Sequence, residues 1–223
     1  MDIIVGCEYT QEVCQALRAA GHNAYSCDIL PTEGDPRYHL QCDVFEAINS
    51  RWWDAGIFFP DCTFVCSSGL HWCKRDPTRA AKRDAGVEFA RRLMEVDIEY
   101  IALENPIGCL STRIRKPDQI IQPYEFGEDA SKATCLWLKN LPKLKKTKFV
   151  EPRMVCTPCG GTFKYGERDC PHCWSEGALA KPRWANQTDG GQNRLGPSET
   201  RGLDRARTYP GVAAAMATQW FLS

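Results

Sequence analysis

The sequence predicts an α/β protein built on a doubly wound parallel sheet, with a small cysteine-rich insertion. Short apolar runs alternate with amphipathic stretches through the first 140 residues, and that alternation is typical of strands and crossover helices in a parallel sheet. Two closely spaced cysteine pairs between residues 156 and 173 mark the insertion. A chain of 223 residues, 43% hydrophobic and 25% charged, is long enough to bury a substantial core in one such domain.

The first strand–helix–strand unit opens the chain. Residues 3–5 are an apolar strand, and residues 23–27 are a second strand that Asp28 ends. Between them, Thr10 is placed to cap a helix and Gly21 to end it. The apolar face of that helix has the spacing i, i+3, i+4 and i+7 and consists of Val13, Ala16, Leu17 and Ala20.

The following units repeat this alternation. A short helix is expected after Asp43, and residues 55–59 and 100–103 are apolar, strand-like runs. A long helix near residues 79–94 separates the two runs, and residues 133–138 predict a later strand. The apolar face of the long helix consists of Val87, Ala90, Leu93 and Met94.

The C-terminal third has a different composition. Residues 185–202 are rich in Gly, Asn, Gln and Ser and predict a long loop, and Pro210 starts a closing helix. We therefore predict a core over residues 1–150, an insertion over 151–181, and a loop and helix over 182–223 that complete the core.

Both central apolar runs lead into a reactive side chain. Pro60-Asp61-Cys62 follows the first run, and Glu104-Asn105-Pro106 follows the second, with Glu104 forty-two residues after Cys62. Because the carboxyl ends of parallel strands meet at one edge of a sheet, we expect both side chains in one crevice. A thiolate beside a carboxylic acid suits covalent attack on an electron-poor ring. A lone cysteine is more often a small buried hydrophobe, so the prediction depends on the pair of motifs.

At these residues the chain resembles the cytosine-C5 DNA methyltransferases. That family has a Pro-Cys motif with a serine four residues and a glycine seven residues after the cysteine, and here Cys66 and Gly69 stand at those positions. The family's Glu-Asn-Val motif corresponds to Glu104-Asn105-Pro106. A closer likeness is to small methylase-like proteins of bacteriophages, and it is carried by residues 28–34, 113–119 and 208–211.

The resemblance implies a Rossmann-like methyltransferase core and a set of roles for individual residues. Cys62 is the implied nucleophile that attacks C6 of cytosine, and Glu104 is the implied acid at N3. Asn105, which orients its loop, and Arg113 and Arg115, which would contact phosphate or the base, are the implied substrate-binding residues. For the reaction to proceed near neutral pH we expect the pKa of Cys62 to be lowered.

The resemblance also implies S-adenosylmethionine as the cofactor. In folds of this kind the first turn after a strand holds a cofactor, and an acid at the end of the second strand binds its ribose. The implied cofactor-binding residues are Gly6, Glu8, Asp28 and Asp43, with Asp28 at the ribose and Asp43 near the adenine amine. The turn lacks the usual glycine-rich loop, and acids at strand ends also act as helix caps, so that alternative stays open.

The two cysteine pairs have the spacing CxxC-x10-CxxC and predict a metal site. The candidate ligands are Cys156, Cys159, Cys170 and Cys173. Four soft thiolates in two turns suit tetrahedral zinc in a closed structural site, with an iron–sulfur cluster as the alternative. His172 lies inside the second pair and is not expected to be a ligand. Zinc ribbons bind nucleic acid or stabilise small folds, and the sequence leaves both possibilities open.

Composition limits where the protein works and what it binds. No run approaches the roughly 18–20 apolar residues of a membrane span, and the first residues lack a secretory signal pattern. Scattered single cysteines are unlike an extracellular disulfide framework, so we expect a cytoplasmic protein, in the host cytoplasm if a phage encodes it. The net charge is zero, but residues 139–153 carry six basic side chains against one acid. These residues are candidate phosphate contacts or simply a solvated face.

Three functions remain in competition at this stage. The leading hypothesis is a methyltransferase for cytosine C5 in DNA, duplex or single-stranded. The first alternative applies the same chemistry to a free pyrimidine nucleotide. The second alternative is a zinc-ribbon protein that binds nucleic acid and has lost catalytic activity.

Overall fold

The computed structural model describes residues 1–167, 169–174, 180–196, 198 and 201–221. The chain divides into two compact units. The first unit comprises Met1–Ile121, Ala133–Lys145 and Ala206–Ser223. The second unit comprises Gln122–Lys132 and Lys146–Arg205.

A seven-stranded sheet forms the centre of the described part of the first unit. Its strands are β1 (Asp2–Gly6), β2 (Asn23–Asp28), β3 (His39–Gln41), β4 (Ala55–Phe58), β5 (Tyr100–Pro106), β6 (Gln119–Ile121) and β7 (Thr134–Lys139). The order is β3-β2-β1-β4-β5-β7-β6. The first five strands in this order are parallel, and β7 runs antiparallel to both of its neighbours.

The predicted doubly wound parallel sheet is therefore confirmed for β1 to β5 and is wrong for β7, which makes the sheet mixed. Parallel neighbours need a crossover connection, usually through a helix, whereas antiparallel neighbours do not. Residues 122–133 between β6 and β7 contain only one short 3₁₀ turn at Pro123–Glu125. After this turn the chain forms β7, which lies between β6 and β5 in the sheet.

The chain forms six α-helices in its described part. They are α1 (Glu12–Ala19), α2 (Val44–Asn49), α3 (Pro77–Met94), α4 (Leu110–Arg113) and, at the chain's end, α5 (Arg201–Ala206) and α6 (Pro210–Gln219). Of these, α1, α2, α3 and α6 were predicted from the sequence, and α4 and α5 were not. In α3 the predicted positions Val87, Ala90 and Leu93 are buried. Among the described residues, no helix combines the length and the apolar character needed to cross a membrane.

The start of α1 differs from the prediction, which placed the cap at Thr10. The helix begins at Glu12, and its N-cap is Gln11, in the left-handed conformation at φ 62°. The side chain of Gln11 is tied to Asp35, whose N–H donates to Oε1 at 2.7 Å. This tertiary contact sets the start of the helix, whereas its predicted end at Gly21, with φ 92°, is confirmed.

Strand β1 lies at the point where the chain reverses its direction across the sheet. From β1 the chain goes outward through β2 to β3, and it then crosses to the other side of β1 to form β4 and β5. The crevice outside the carboxyl ends of such neighbouring strands is where open α/β sheets bind ligands. The ends of β1 and β4 are in register, with Gly6 opposite Phe58.

The described part of the second unit contains a small antiparallel sheet of β8 (Arg153–Cys156), β9 (Thr162–Phe163) and β10 (Ala180–Arg183). The predicted loop at 185–202 has no helix or strand through residue 196, but α5 begins within it at Arg201; residues 197, 199 and 200 lie outside the described residues. The guanidinium of Arg153 holds this loop through the carbonyls of Trp184 and Gln187, each at 2.9 Å.

Candidate active site and metal centre

The segment after β4 forms a tight turn that carries Cys62. The N–H of Cys66 donates to the carbonyl of Cys62 at 3.0 Å, so residues 62–66 make one helical turn. The exposed carboxylate of Asp61 accepts the N–H and the hydroxyl of Thr63 at 2.9 and 2.6 Å. Asp61 therefore stabilises the entry to the turn.

The segment after β5 is bonded directly to this turn. The N–H of Ser67 donates to the carbonyl of Ile107 at 2.9 Å, and the N–H of Cys109 donates to the carbonyl of Val65 at 2.8 Å. The approach is so close that a Cβ on Gly108 would clash with the Val65 carbonyl oxygen and lie 2.8 Å from Cys66 Cα. Two motifs forty-two residues apart in sequence thus meet at one edge of the sheet.

The apolar run that ends at residue 103 had predicted that Glu104 follows the strand. In the structure, Glu104 lies inside β5. Strand β7 extends β5 by pairing with it, so that Glu104 stands opposite Leu136. The side chain is half-buried, and its carboxyl is close enough to Cys62 to raise the pKa of that thiol.

Asn105 joins the two segments and carries an unsatisfied acceptor. It is 1% exposed, and its Nδ2 donates to the carbonyl of Pro60 at 2.8 Å. Its Oδ1 is buried and has no hydrogen-bond partner among the described residues. A buried acceptor without a donor costs on the order of 1–3 kcal/mol, so a donor from a ligand or an ordered water is expected there.

Cys62 and Cys66 lie one helical turn apart, and the pKa values of their thiols shift in opposite directions. The hydrogen bond from Cys62 lowers the pKa of Cys66 to about 5, with help from Ser68, whose Oγ lies 3.1 Å from the sulfur, and against the effect of burial. The bond to Cys66 and then burial raise the pKa of Cys62 far above the usual thiol range, and the charges of Cys66, Glu104 and Asp61 add to this. The expectation that the pKa of Cys62 is lowered is wrong, because Cys66 holds the position facing the hydrogen-bond donors.

Carboxylates from three loops surround Cys7 at the end of β1. Cys7 adopts the left-handed conformation at φ 60°. Burial and then the charges of Asp28, Asp43 and Asp61 raise the pKa of its thiol to about 12. Two predicted cofactor-binding acids, Asp28 and Asp43, therefore lie on the same edge as the Cys62 turn.

Each predicted cofactor-binding acid also has a structural role. Glu8 is buried, and its carboxylate accepts the N–H groups of Val13 and Cys14 in the first turn of α1 at 2.7 and 3.2 Å. Burial nevertheless raises the pKa of Glu8 to about 7. Asp28 accepts the N–H of Leu30 at 2.9 Å, and Asp43 caps α2 through the N–H of Phe45 at 2.8 Å.

Packing alone accounts for the presence of a glycine at position 6. A Cβ at this position would lie 2.6 Å from Val44 Cγ2 and 2.7 Å from Phe58 Cδ1. A bulkier residue would push apart α2 and β4, which border the crevice. Contact of Gly6 with a cofactor stays a prediction.

The two predicted substrate-binding arginines are engaged elsewhere. Arg113 lies 3.7 Å from the carboxylate of Asp84 in α3. Arg115 pairs with Asp118 at 2.8 Å and donates to the carbonyl of Leu138 at 3.2 Å. Leu138 stands opposite Ala102, towards the start of β5, so Arg115 lies away from the end of the strand where Glu104 and Asn105 meet the Cys62 turn.

The four predicted metal ligands converge. The Sγ atoms of Cys156, Cys159, Cys170 and Cys173 all lie within 4.8 Å of one another. The pairs Cys156–Cys173 and Cys159–Cys170 are 3.5 and 3.6 Å apart. Tetrahedral zinc with Zn–S bonds of about 2.3 Å separates its sulfurs by about 3.8 Å, so the cluster fits that ion.

The backbone around the cluster shows why the two cysteine pairs form matching turns. The N–H of Gly160 donates to the carbonyl of Cys156 at 2.9 Å, and the N–H of Trp174 donates to that of Cys170 at 2.7 Å. Both donors are in the left-handed conformation, which glycine adopts without strain and tryptophan does not. His172 Nε2 lies 3.2 Å from the carbonyl oxygen of Thr162, and its exclusion from the ligand set stays a prediction.

Comparison with family models and with curated proteins finds no match. Among solved structures, the chain is similar to a candidate DNA modification methyltransferase encoded within an E. coli prophage. The TM-score is 0.38 and the identity 13%, over 62% of this chain and 46% of that chain. The chain thus spans about half the length of that structure.

Proposed function

We propose that the protein is an S-adenosylmethionine-dependent methyltransferase that acts on C5 of cytosine in DNA through a covalent bond between Cys62 and C6. The observation that carries the proposal is the junction of the Cys62 turn with the Glu104-Asn105 end of β5. The mixed seven-stranded sheet with flanking helices is consistent with a Rossmann-like methyltransferase fold. The crevice at the end of β4 is where such a fold binds ligands.

The chemistry assigns a role to each reactive group. C5 of cytosine is a poor nucleophile, and addition of the Cys62 thiolate to C6 moves the electrons of the C5=C6 bond towards N3. Glu104 supplies the proton that N3 takes up, which leaves C5 nucleophilic. S-adenosylmethionine, when bound, supplies the methyl group that C5 accepts. Transfer of the C5 proton to water and return of the N3 proton to the Glu104 carboxylate restore the C5=C6 bond, break the bond between C6 and sulfur and release the Cys62 thiolate.

The acidic edge around Cys7 supports the choice of cofactor. S-adenosylmethionine carries a sulfonium and an ammonium group, and the carboxylates of Asp28, Asp43 and Asp61 converge at this edge. Asp28 would bind the ribose hydroxyls and Asp43 the adenine amine. Gly6 and Glu8 would contribute by shaping the turn around the cofactor, Glu8 through its bonds to α1.

DNA is proposed as the substrate because the Cys62 turn lies at the carboxyl ends of the parallel strands, the edge at which open α/β sheets bind ligands such as a flipped base. A base inside the duplex cannot expose C6 to Cys62, so it must leave the stack. The unpaired Oδ1 of Asn105 provides a buried acceptor beside the turn. A role for Arg113 and Arg115 in binding the substrate requires that they leave their present partners.

Zinc is proposed as the ion of the four-cysteine cluster, because the sulfur separations match its tetrahedral geometry. When bound, zinc would supply folding free energy to the ribbon. All thirteen cysteines are free of disulfides, which supports a reducing compartment, and we place the protein in the cytoplasm.

The test is incubation with labelled S-adenosylmethionine and, in parallel, duplex DNA, single-stranded DNA or dCMP. We expect label in DNA with the wild-type protein and none with Cys62→Ser, which should still bind the cofactor. Cys73→Ser is the matched control, since that cysteine is buried and donates to the Arg79 carbonyl. Label in dCMP alone would favour the nucleotide enzyme, and DNA binding without any transfer would favour the inactive binding protein.

A further inference from the structure

The chain leaves the Cys62 turn through a short 3₁₀ helix, Ser67–Lys74, that has a buried side and an exposed side. Cys73 is buried and anchors the helix to the protein. On the exposed side, Trp72 is 50% accessible to solvent, and the centre of its ring lies 4.7 Å from that of the exposed His71. Two aromatic rings are therefore held at the surface shortly after the Cys62 turn.

Four basic side chains on this 3₁₀ helix and on the start of α3 have no ion-pair partner among the described residues. They are Lys74, Arg75, Arg79 and Lys82, and we call them the basic surface. The one acid between residues 71 and 82 is Asp76. Its carboxylate caps α3 by accepting the N–H groups of Thr78 and Arg79 at 2.9 and 3.2 Å. The basic surface therefore carries an excess of positive charge.

Helix α3 places two of these cations beside the Cys62 turn. The guanidinium carbon of Arg79 and the ammonium nitrogen of Lys82 lie 5.0 and 5.3 Å from the ring centre of Phe64, which belongs to that turn. The Nε of Arg79 is buried and has no hydrogen-bond partner in the described part of the chain. The protein thus leaves part of this guanidinium unsatisfied, and a phosphate oxygen would supply an acceptor.

Cations beside an exposed aromatic ring are the combination with which proteins bind single-stranded nucleic acid, because the cations contact phosphates and the ring stacks on a base. The bases of a duplex are stacked on one another, so an indole at the protein surface finds no open base face there. At a rise of about 2 Å per residue, Trp72 stands about 12 Å from the Cys62 turn, a distance that about four stacked nucleotides span.

We propose that the basic surface binds the phosphates of an unpaired DNA strand and that Trp72 stacks on one of its bases. This inference rests on the proposed function and names the form of DNA that its site takes. The strand runs from Trp72 to the Cys62 turn, where the target base lies. An unpaired target also spares the protein the cost of unpairing and unstacking that base.

The first experiment compares an unpaired strand with a duplex. A fluorescein-labelled oligothymidylate of about 12 nucleotides and a hairpin duplex with a similar number of phosphates are titrated with protein, and anisotropy measures the affinity. We expect the wild-type protein to bind the oligothymidylate more tightly. Trp72→Ala should weaken that binding about 10-fold, whereas Trp72→Phe, which keeps an aromatic face, should stay close to wild type. Both variants should bind the duplex as the wild type does.

The second experiment measures the contribution of the charges. The triple variant Lys74→Ala/Arg75→Ala/Lys82→Ala removes three cations of the basic surface. Arg79 is kept because its Nη2 packs closely against Gly69. The plot of log affinity for oligothymidylate against log salt concentration should become less steep by about 2, since each contact with a phosphate of a single strand contributes about 0.7 to the slope.

The matched control removes an equal charge elsewhere. The triple variant Lys143→Ala/Lys145→Ala/Lys148→Ala loses three exposed lysines of the segment 139–153, and its salt slope should equal that of the wild type. A slope that changes in this control and not in the first triple variant would overturn the inference. Equal losses of strand and duplex binding in Trp72→Ala, or tighter binding of the duplex by the wild-type protein, would overturn it as well.

The outcome is separate from that of the methyl-transfer test, because oligothymidylate contains no cytosine and its binding needs no S-adenosylmethionine. If the expected binding pattern is found in a protein that transfers no methyl group, the proposed function fails and the strand-binding surface stands. If methyl groups are transferred to DNA while Trp72→Ala and the first triple variant bind the strand as the wild type does, the proposed function stands and this inference fails.

Discussion

The Cys62 turn of the first unit and the four-cysteine ribbon of the second unit both bring cysteine thiols together at backbone turns. In the ribbon, four sulfurs lie within 4.8 Å of one another, and four thiolates at that separation require a cation. In the Cys62 turn, Cys66 and then burial raise the pKa of the Cys62 thiol, whereas Cys62 and then Ser68 lower the pKa of the Cys66 thiol. The number of thiols and the charges around them therefore distinguish the two clusters.

Spacing also separates the two clusters. In CxxC the chain turns back sharply, with Gly161 donating its N–H to Cys159 Sγ at 3.3 Å. In the spacing CxxxC, one helical turn places Cys66 on the same side of the turn as Cys62. The ribbon cluster is built from residues within one short segment, whereas the Cys62 turn depends on β5 for its charge and its position.

The largest effect is expected from Cys156→Ala. Loss of one ligand should remove zinc and disorder the ribbon, because structural zinc supplies on the order of 10–16 kcal/mol in such small domains. Elemental analysis should find one zinc per wild-type chain and none in the variant, and hydrogen exchange should rise in the ribbon but not in β1, β4 or β5. His172→Ala is the control and should keep its zinc, since His172 contacts Thr162. If Cys156→Ala retained zinc, the ribbon cysteines could no longer be distinguished from those of the Cys62 turn as metal ligands.

The next largest effect is expected from Gly108→Ala, which acts on the Cys62 turn alone. The new Cβ would meet the backbone of Val65 and Cys66, so we expect a loss of about 3 kcal/mol in the stability of the first unit. Urea unfolding followed by fluorescence measures the change, and zinc content should not change. In Gly202→Ala the Cβ meets nothing within 4 Å, and stability should hardly alter. Equal effects of the two substitutions would mean that β5 does not position the turn.

A smaller effect is expected from Asp28→Ala at the acidic edge. Loss of the carboxylate should weaken S-adenosylmethionine binding by about 1–3 kcal/mol, because the ribose hydroxyls would lose their acceptor. It should also lower the pKa of Cys7, since the charge of Asp28 helps to raise it. Calorimetry and alkylation of Cys7 measure the two effects, with exposed Glu46→Ala as the control. Unchanged cofactor affinity would leave Asp28 with only its turn-capping role.

The smallest effect is expected from Trp174→Gly in the ribbon. Trp174 holds a left-handed conformation that costs roughly 1–2 kcal/mol in an L-residue. Glycine should therefore stabilise the zinc-bound ribbon by about 1 kcal/mol, as measured by competition with a chelator. At the equivalent position of the first pair, Gly160→Ala should weaken zinc retention by a similar amount. A weaker ribbon in Trp174→Gly would show that the 82% exposed indole has a stabilising contact of its own.

Much of the site was predictable because its signals are local. Apolar runs predicted β4 and the first four residues of β5, and the position of Cys62 and Glu104 at their ends predicted a shared edge. The spacing of the ribbon cysteines predicted their convergence. Asp43 as the residue before α2 and Gly21 at the end of α1 followed from turn and cap preferences that act over a few residues.

Other features depended on residues far apart in the chain. No local pattern shows that Gln11 is tied to Asp35 and so moves the start of α1. Arg115 follows the glutamate motif closely in sequence, yet its bond to Leu138 directs it towards the start of β5. A local signal for the low pKa of Cys66 did exist, since Ser68 and Gly69 follow it as hydrogen-bond donors.

The sequence by itself determined the alternation of strands and helices, the two reactive motifs and the composition of the metal site. Each of these features depends only on residues that are close together in the sequence. The tertiary structure alone decided that β7 enters the sheet antiparallel and that burial and the charge of Glu104, after the effect of Cys66, raise the pKa of the Cys62 thiol. The physical reason is that strand pairing and pKa depend on distances between groups such as Cys62 and Glu104. Those distances exist only once the chain has folded.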